Sequence, residues 1–363
     1  MKRLVFGLGA LLAANAVAAP PNTSSPENQP LELHVGGRVK AVNYQENQIA
    51  YQWPGTYFEG AYKGRRIDIG WDPFNIWNVY IDGEFVMKTD PAADSATVIV
   101  HKDAGLHTIR MAKANESQNK NSSFIGPILA APEPLPAPAP RERQIEFIGD
   151  SDMVGYGNTS TKRECTKAEV FETTDSQQAY PAQVARTYNA DFQLNAYSGI
   201  GIVRNYDGTE PDRPMPVLYP RMLFDDPTPY DRKNWTPQVI VVALGGNDFS
   251  TPLKPGEKWK DVAALRTDWE TTFVKFLSDI RAQNPDTFLI MGALETFNAD
   301  YLAATKSVLA ARKVAGDARI DLVTYPQLEL TACDWHPSLN DHKTMKNIVE
   351  AFIDQQPDIW QGK

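Results

Sequence analysis

Cysteine is nearly absent: Cys165 and Cys333 are the only two in 363 residues. No CxxC pair and no Cys/His cluster has metal-ligand spacing, so no metal centre is expected. Positive charge is also short. Lys and Arg number 36 against 45 Asp and Glu, a net charge of −9, which argues against nucleic acid or an anionic membrane surface as the main partner. Histidine is scarce at five residues, so candidates for a general base are few. After the N-terminal run, no hydrophobic stretch reaches the roughly 20 residues of a membrane-spanning helix.

Hydrophobic residues make up 42%, enough to give each of two domains a core. Aromatics reach 10%, with 8 Trp and 14 Tyr, which fits a sugar-stacking surface and fits aromatic-rich cores equally. The N-terminus, MKRLVFGLGALLAANAVAAP, has two cations, a short apolar run and Ala16-Val17-Ala18. This pattern predicts a signal peptide over 1–18 and hence a periplasmic or secreted protein. The alternative is an N-terminal anchor helix. In an oxidising compartment Cys165 and Cys333 are expected to pair; two free buried thiols are the other arrangement.

Residues 19–30 read as a flexible leader rich in Pro, Asn and Ser. From 31 to 130 short alternating runs such as RRIDIGW and NVYIDGEFVMK predict strands, with Asp82-Gly83 as a hairpin turn. The expected fold here is an all-β, jelly-roll-like sandwich. APEPLPAPAP, residues 131–140, predicts an extended linker. From 141 to 363 apolar strands alternate with helical stretches, which predicts an α/β/α domain on a parallel sheet. Expected strands lie at 144–148, 191–197, 238–244 and 287–294, with helices at 180–189, 260–282, 299–314 and 344–353. Ligands of such sheets bind at the carboxyl ends of the strands.

Three of those strand ends carry polar blocks: Gly149-Asp150-Ser151, Tyr197-Ser198-Gly199-Ile200-Gly201 and Gly245-Gly246-Asn247-Asp248. A fourth block, Asp334-Trp335-His336-Pro337, lies near the C-terminus. Each is ordinary alone: a Ser after a strand is commonly a helix cap, and glycines there make turns. Together they resemble the SGNH (GDSL) hydrolases, in the family's order.

Ester hydrolysis needs a serine, a base to take and return its proton, and donors aimed at the developing oxyanion. Ser151 is the expected nucleophile. His34, His101 and His107 fall in the β domain, and His342 is expected at the start of the final helix in a structural or solvent-facing role, leaving His336 as the base. The Ser151 and Gly199 N–H groups and the Asn247 amide are the expected oxyanion donors, with Gly201 a substitute for Gly199. Asp334 is the candidate third member. The usual family spacing is Asp-x-x-His, and this chain has Cys at 333, so a backbone carbonyl is the alternative partner for His336. A Cys165–Cys333 bridge would tie the two active-site loops together.

The stretches IEFIGDSDMVGYGN, RECTKAEVFETTDSQQAYPAQVA, NAYSGIGIVRNYDG, ALGGNDFSTPL and CDWHPSLNDH resemble carbohydrate esterase family 2. The resemblance spans nearly the whole mature chain. It implies a jelly roll joined to an SGNH domain. It also implies removal of acetyl groups, with preference for the 6-hydroxyl, from xylan, mannan or glucomannan, without a cofactor. Tyr206, Trp259 and Trp335 are candidate platforms for a pyranose face, with packing as the alternative for each. Two rivals remain: an SGNH lipase or thioesterase of other acyl specificity, and a carbohydrate-binding protein without catalysis.

Overall fold

The computed structural model describes residues 4–8, 28–43, 48–72, 74–93, 95–100, 104–116, 128–232 and 234–361. His101 and most of the expected signal peptide and leader lie outside these residues. The chain divides into two compact units, one of residues 1–52 and 56–140, the other of 53–55 and 141–363.

In the first unit one sheet runs in the order Leu4–Leu8, Ser95–Val100, Arg66–Gly70, Ile128–Ala131, Gln29–Pro30. The other runs Glu133–Leu135, Tyr57–Lys63, Leu106–Lys113, Trp77–Ile81, Glu84–Lys88, with His34–Gly36 also on Tyr57–Lys63. Inward side chains of both sheets, including Phe58, Trp77, Val79, Ile109 and Met111 against Ile67, Ile69, Val98 and Leu129, form one core. This is the sandwich that the alternation predicts. Asp82 (φ 52°) and Gly83 (φ 82°) both take the left-handed backbone that a two-residue hairpin requires.

Three segments expected outside the sandwich pair with its strands. Within 131–140 the chain is extended but not wholly a free spacer. Glu133–Leu135 pairs with Tyr57–Lys63, and Pro134 is tolerated because that strand is at an edge. Of the leader, Gln29–Pro30 pairs with Ile128–Ala131, and of the expected signal segment Leu4–Leu8 pairs in parallel with Ser95–Val100.

The second unit is built on five parallel strands in the order Ala190–Ala196, Arg143–Gly149, Val239–Ala243, Phe288–Leu294, Ile320–Tyr325. The helices in chain order are α1 (Ser151–Val154), α2 (Lys167–Thr173), α3 (Tyr180–Thr187), α4 (Met215–Leu218), α5 (Gly246–Phe249), α6 (Val262–Gln283), α7 (Ala299–Val314) and α8 (Leu339–Asp354). One sheet face, with Ile148, Ile240, Val242, Leu289 and Met291, packs on Trp269, Phe273, Tyr301 and Val308 of α6 and α7. On the other, α3 packs on α8 and on the first two strands. With both faces covered, Val239, Ile240, Val241 and Val242 are all buried, as a continuous apolar run in a parallel sheet should be. The chain reverses direction of travel across the sheet beside Arg143–Gly149, which puts the switch point next to Ser151.

Candidate active site

Gly149 ends its strand where a Cβ would lie 2.4 Å from Met153 Sδ and 2.9 Å from the Ala243 carbonyl, so only glycine fits. Asp150 then caps α1, accepting the Asp152 N–H at 3.2 Å. The capping role therefore belongs to Asp150. Ser151 is the first residue inside the helix, with its side chain at liberty for another task, and it is only 8% exposed.

That side chain meets His336. Ser151 Oγ lies 2.9 Å from Nε2, and Nδ1 lies 2.9 Å from the Cys333 carbonyl oxygen. A carbonyl can only accept, so Nδ1 carries the proton and Nε2 is left to accept from the serine hydroxyl. Among the described contacts Asp334 does not reach the imidazole; a backbone carbonyl, the alternative partner, takes that place. The Asp334 carboxylate accepts the Tyr156 hydroxyl at 3.0 Å instead. The shortened Asp-x-His spacing, with Asp334 in left-handed backbone (φ 50°, ψ 40°), aims the carboxylate at Tyr156 and the preceding carbonyl at His336. The Tyr156 ring also lies over the imidazole, with centroids 4.4 Å apart.

Asn247 joins the other two blocks. Its Nδ2 donates to the Ile200 carbonyl at 2.9 Å and to Asp150 Oδ2 at 3.3 Å, the bonds it would have to exchange to meet an oxyanion. Gly199 takes φ 80°, open to glycine and costly to other residues, and its carbonyl accepts the Tyr206 N–H at 2.7 Å. The Gly201 N–H donates to Asn205 Oδ1 at 2.9 Å. Asp248, which sequence reasoning passed over, shapes this loop. Its carboxylate accepts the N–H groups of Ile202, Val203 and Arg204 at 2.8–2.9 Å. Burial pushes the Asp248 carboxyl up to about 6, against the pull of those three donors. Burial likewise raises Asp150, reinforced by the neighbouring charge of Asp152. It raises Asp152 too, with His336 pulling the other way and Asp341 adding to the push.

A cavity of about 300 Å³ opens at the serine. Ser151, His336 and Asn247 line it together with Leu244, Ala293, Leu294, Phe297 and Met345, and Tyr206 and Trp335 are also in its wall. Tyr206 and Trp335 are 52% and 59% exposed, as open stacking faces must be. Trp259 is a correction: it is absent from this wall, its indole N–H donates to Asp268 at 2.9 Å, and it packs against the α6–α7 core. Cys165 and Cys333 form a disulfide. His342 is buried rather than solvent-facing, with Nδ1 accepting the Tyr180 N–H at 3.3 Å. Tyr156 and Arg163 were not singled out in the sequence; only their proximity to Gly155-Gly157 and Cys165 marks them.

Comparison with known proteins agrees with this architecture. Residues 35–138 match the family described as Carbohydrate esterase 2 N-terminal, and 147–342 match the GDSL-like Lipase/Acylhydrolase family. An acetylxylan esterase / glucomannan deacetylase of Cellvibrio japonicus is 37% identical over 374 residues, covering 98% of this chain and 99% of that protein. A solved carbohydrate esterase, described as having an active site with divergent catalytic and non-catalytic binding functions, superposes with a TM-score of 0.82 at 37% identity, over 92% of this chain and all of that one. A family two carbohydrate esterase from Clostridium thermocellum, solved with cellohexaose, gives 0.76 at 26% identity, over 90% of this chain and all of that one. The two family matches fall one on each unit, the likeness to the esterase of Cellvibrio japonicus runs through nearly all of both, and the chain belongs to the GDSL-like hydrolases and, among them, to the family 2 carbohydrate esterases, a group of carboxylic ester hydrolases.

Proposed function

We propose that the protein removes O-acetyl groups, with preference for the 6-position, from plant cell-wall polysaccharides or oligosaccharides such as xylan and glucomannan. The observation that carries this reading is the 2.9 Å contact of Ser151 Oγ with His336 Nε2, beside a cavity walled by exposed Tyr206 and Trp335. His336 takes the Ser151 proton as Oγ attacks the acetyl carbonyl. The tetrahedral oxyanion is held by the Ser151 and Gly199 N–H groups and the Asn247 amide. His336 then gives its proton to the leaving sugar oxygen, and the acetyl group stays on Ser151. Water, deprotonated by the same imidazole, releases acetate. Cys333 O fixes the tautomer throughout, so the machinery is a Ser–His dyad oriented by the main chain.

An exported enzyme is part of this reading, in keeping with the expected signal peptide and with a disulfide beside the site. Among the described residues no helix is long and apolar enough to cross a membrane. The apolar cavity wall of Leu244, Ala293, Leu294, Phe297 and Met345 favours the lipase or thioesterase reading. Initial rates on 4-nitrophenyl acetate, butyrate and octanoate separate the two. Fastest turnover of acetate supports the deacetylase; fastest turnover of octanoate replaces it with the lipase.

A further inference from the structure

The loop that carries His336 holds unusual backbone. Leu330 (φ 49°), Asp334 (φ 50°) and Trp335 (φ 59°) all occupy the left-handed region. Aspartate tolerates that region, whereas leucine and tryptophan are strained by it. The successive left-handed residues 334 and 335 turn the chain so that one oxygen, Cys333 O, accepts both the His336 backbone N–H at 3.0 Å and its Nδ1–H at 2.9 Å. The acceptor that sets the tautomer therefore sits in a strained turn, and such a turn persists only where its surroundings over-determine it.

The segment after the nucleophile does so. Cys165 is bonded to Cys333 across 168 residues of sequence. Gly157 (φ 56°) makes room beneath the bridge, since a Cβ there would lie 2.4 Å from Cys333 Cβ. Arg163 donates from Nε to the Leu330 carbonyl at 2.7 Å and from Nη2 to the Glu329 carbonyl at 3.0 Å. Its own carbonyl accepts the Asp334 N–H at 2.6 Å. On the far side, the Asp341 carboxylate accepts the N–H groups of Glu329, Leu330 and Ser338.

We propose that the Cys165–Cys333 bridge and Arg163 are positioning residues for the catalytic base: they hold the strained 333–335 turn so that the Cys333 carbonyl keeps His336 in its reactive tautomer. The inference rests on the esterase reading for its kinetic consequence. Its structural consequence can be read independently, because a chain with five histidines is well suited to selective ¹⁵N-histidine labelling.

The test compares wild type, Cys165→Ser, Cys165→Ser with Trp335→Gly, and Arg163→Gln. Each is studied by ¹⁵N histidine spectra and by kinetics on 4-nitrophenyl acetate, which has no sugar for Trp335 to bind. Wild type should show His336 as a single neutral tautomer protonated on Nδ1. Cys165→Ser keeps the Cys333 carbonyl but frees the turn. It should mix the tautomers and lower kcat roughly 10- to 100-fold with KM unchanged, the scale of a small misplacement of a reacting group. Adding Trp335→Gly, which adopts positive φ without strain, should restore part of kcat and the single tautomer. A bridge that only stabilises the fold would give no such rescue. Arg163→Gln, with the bridge intact, should lower kcat several-fold. A single tautomer and kcat within twofold of wild type in both Cys165→Ser and Arg163→Gln would overturn the proposal. Should Cys165→Ser fail to fold, Arg163→Gln decides by the same criteria. A wild type inactive on every ester, yet with a bridge-dependent tautomer, would sink the esterase reading and leave the positioning role standing.

Discussion

Three described contacts of the His336 imidazole each bear on one property. In the proposed mechanism Ser151 Oγ at Nε2 supplies the proton to be moved, Cys333 O at Nδ1 fixes the tautomer, and the Tyr156 ring packs over the face. Asp334, tied to Tyr156, has no direct bond to the ring among the described contacts. Removing the carboxylate of a true triad costs about 10⁴ in kcat, because the wrong tautomer is then populated. Asp334→Ala should instead lower kcat less than about tenfold, on the order of 1.4 kcal/mol of barrier, as measured by steady-state kinetics on an acetyl ester. A loss near 10⁴ would return Asp334 to the triad. Asn247 is the opposite case. Asn247→Ala should lower kcat by about 10²–10³ with little change in KM, the effect of deleting an oxyanion donor. An effect confined to KM would make it a substrate-binding residue.

At the scale of elements, the strand ends position the blocks and the helices lock them. His342 of α8 joins α3, fully buried with its Nδ1 accepting the Tyr180 N–H. Burial pushes the His342 imidazole down to about 3. An unfolded histidine titrates near 6.5, so the native state resists a proton that the unfolded state accepts. His342 therefore leaves stability intact above about pH 6.5 and erodes it as pH falls toward about 3. Between pH 7 and pH 5 it should cost about 2 kcal/mol. Urea unfolding at the two pH values tests this: His342→Gln should shrink the loss on acidification, and an unchanged slope would contradict it.

The same elements show what was legible in the sequence. Val239–Ala243 and Phe288–Leu294 were readable because strands buried on both faces are continuous apolar runs. Ile320–Tyr325 is hidden in the sequence because it is the edge strand, with Asp321 and Thr324 only partly covered among its apolar residues. The start of α8, ahead of the expected 344, is set by the Ser338–Asp341 capping box and not by apolar spacing, which is weak there. Ser151, Gly199, Asn247 and His336 stood out because each block follows a strand or sits beside a rare histidine. The direction of the Asp334 carboxylate was hidden. It depends on a left-handed turn and on Tyr156, neither of which spacing reveals. Trp259 misled for a related reason, since proximity in sequence to the Asn247 block says nothing about which way an indole points.

Across the whole molecule, two units of different texture share one chain, and the disulfide spans the second from the nucleophile's loop to the base's loop. Closing a loop of 168 residues constrains the unfolded state strongly. Cys165→Ser should accordingly lose about 2–5 kcal/mol in equilibrium unfolding. A loss near zero would mean that the unfolded chain is already compact around that pair. Exposed Tyr206 and Trp335 offer the open ring faces that the proposed sugar substrate requires. The central claim is that Ser151 carries the acetyl group of a polysaccharide. The most direct test is acetate release from acetylated glucomannan by wild type and by Ser151→Ala. The account predicts steady release by wild type and a drop to background on Ser151→Ala, while acetate released at a similar rate by both would contradict it.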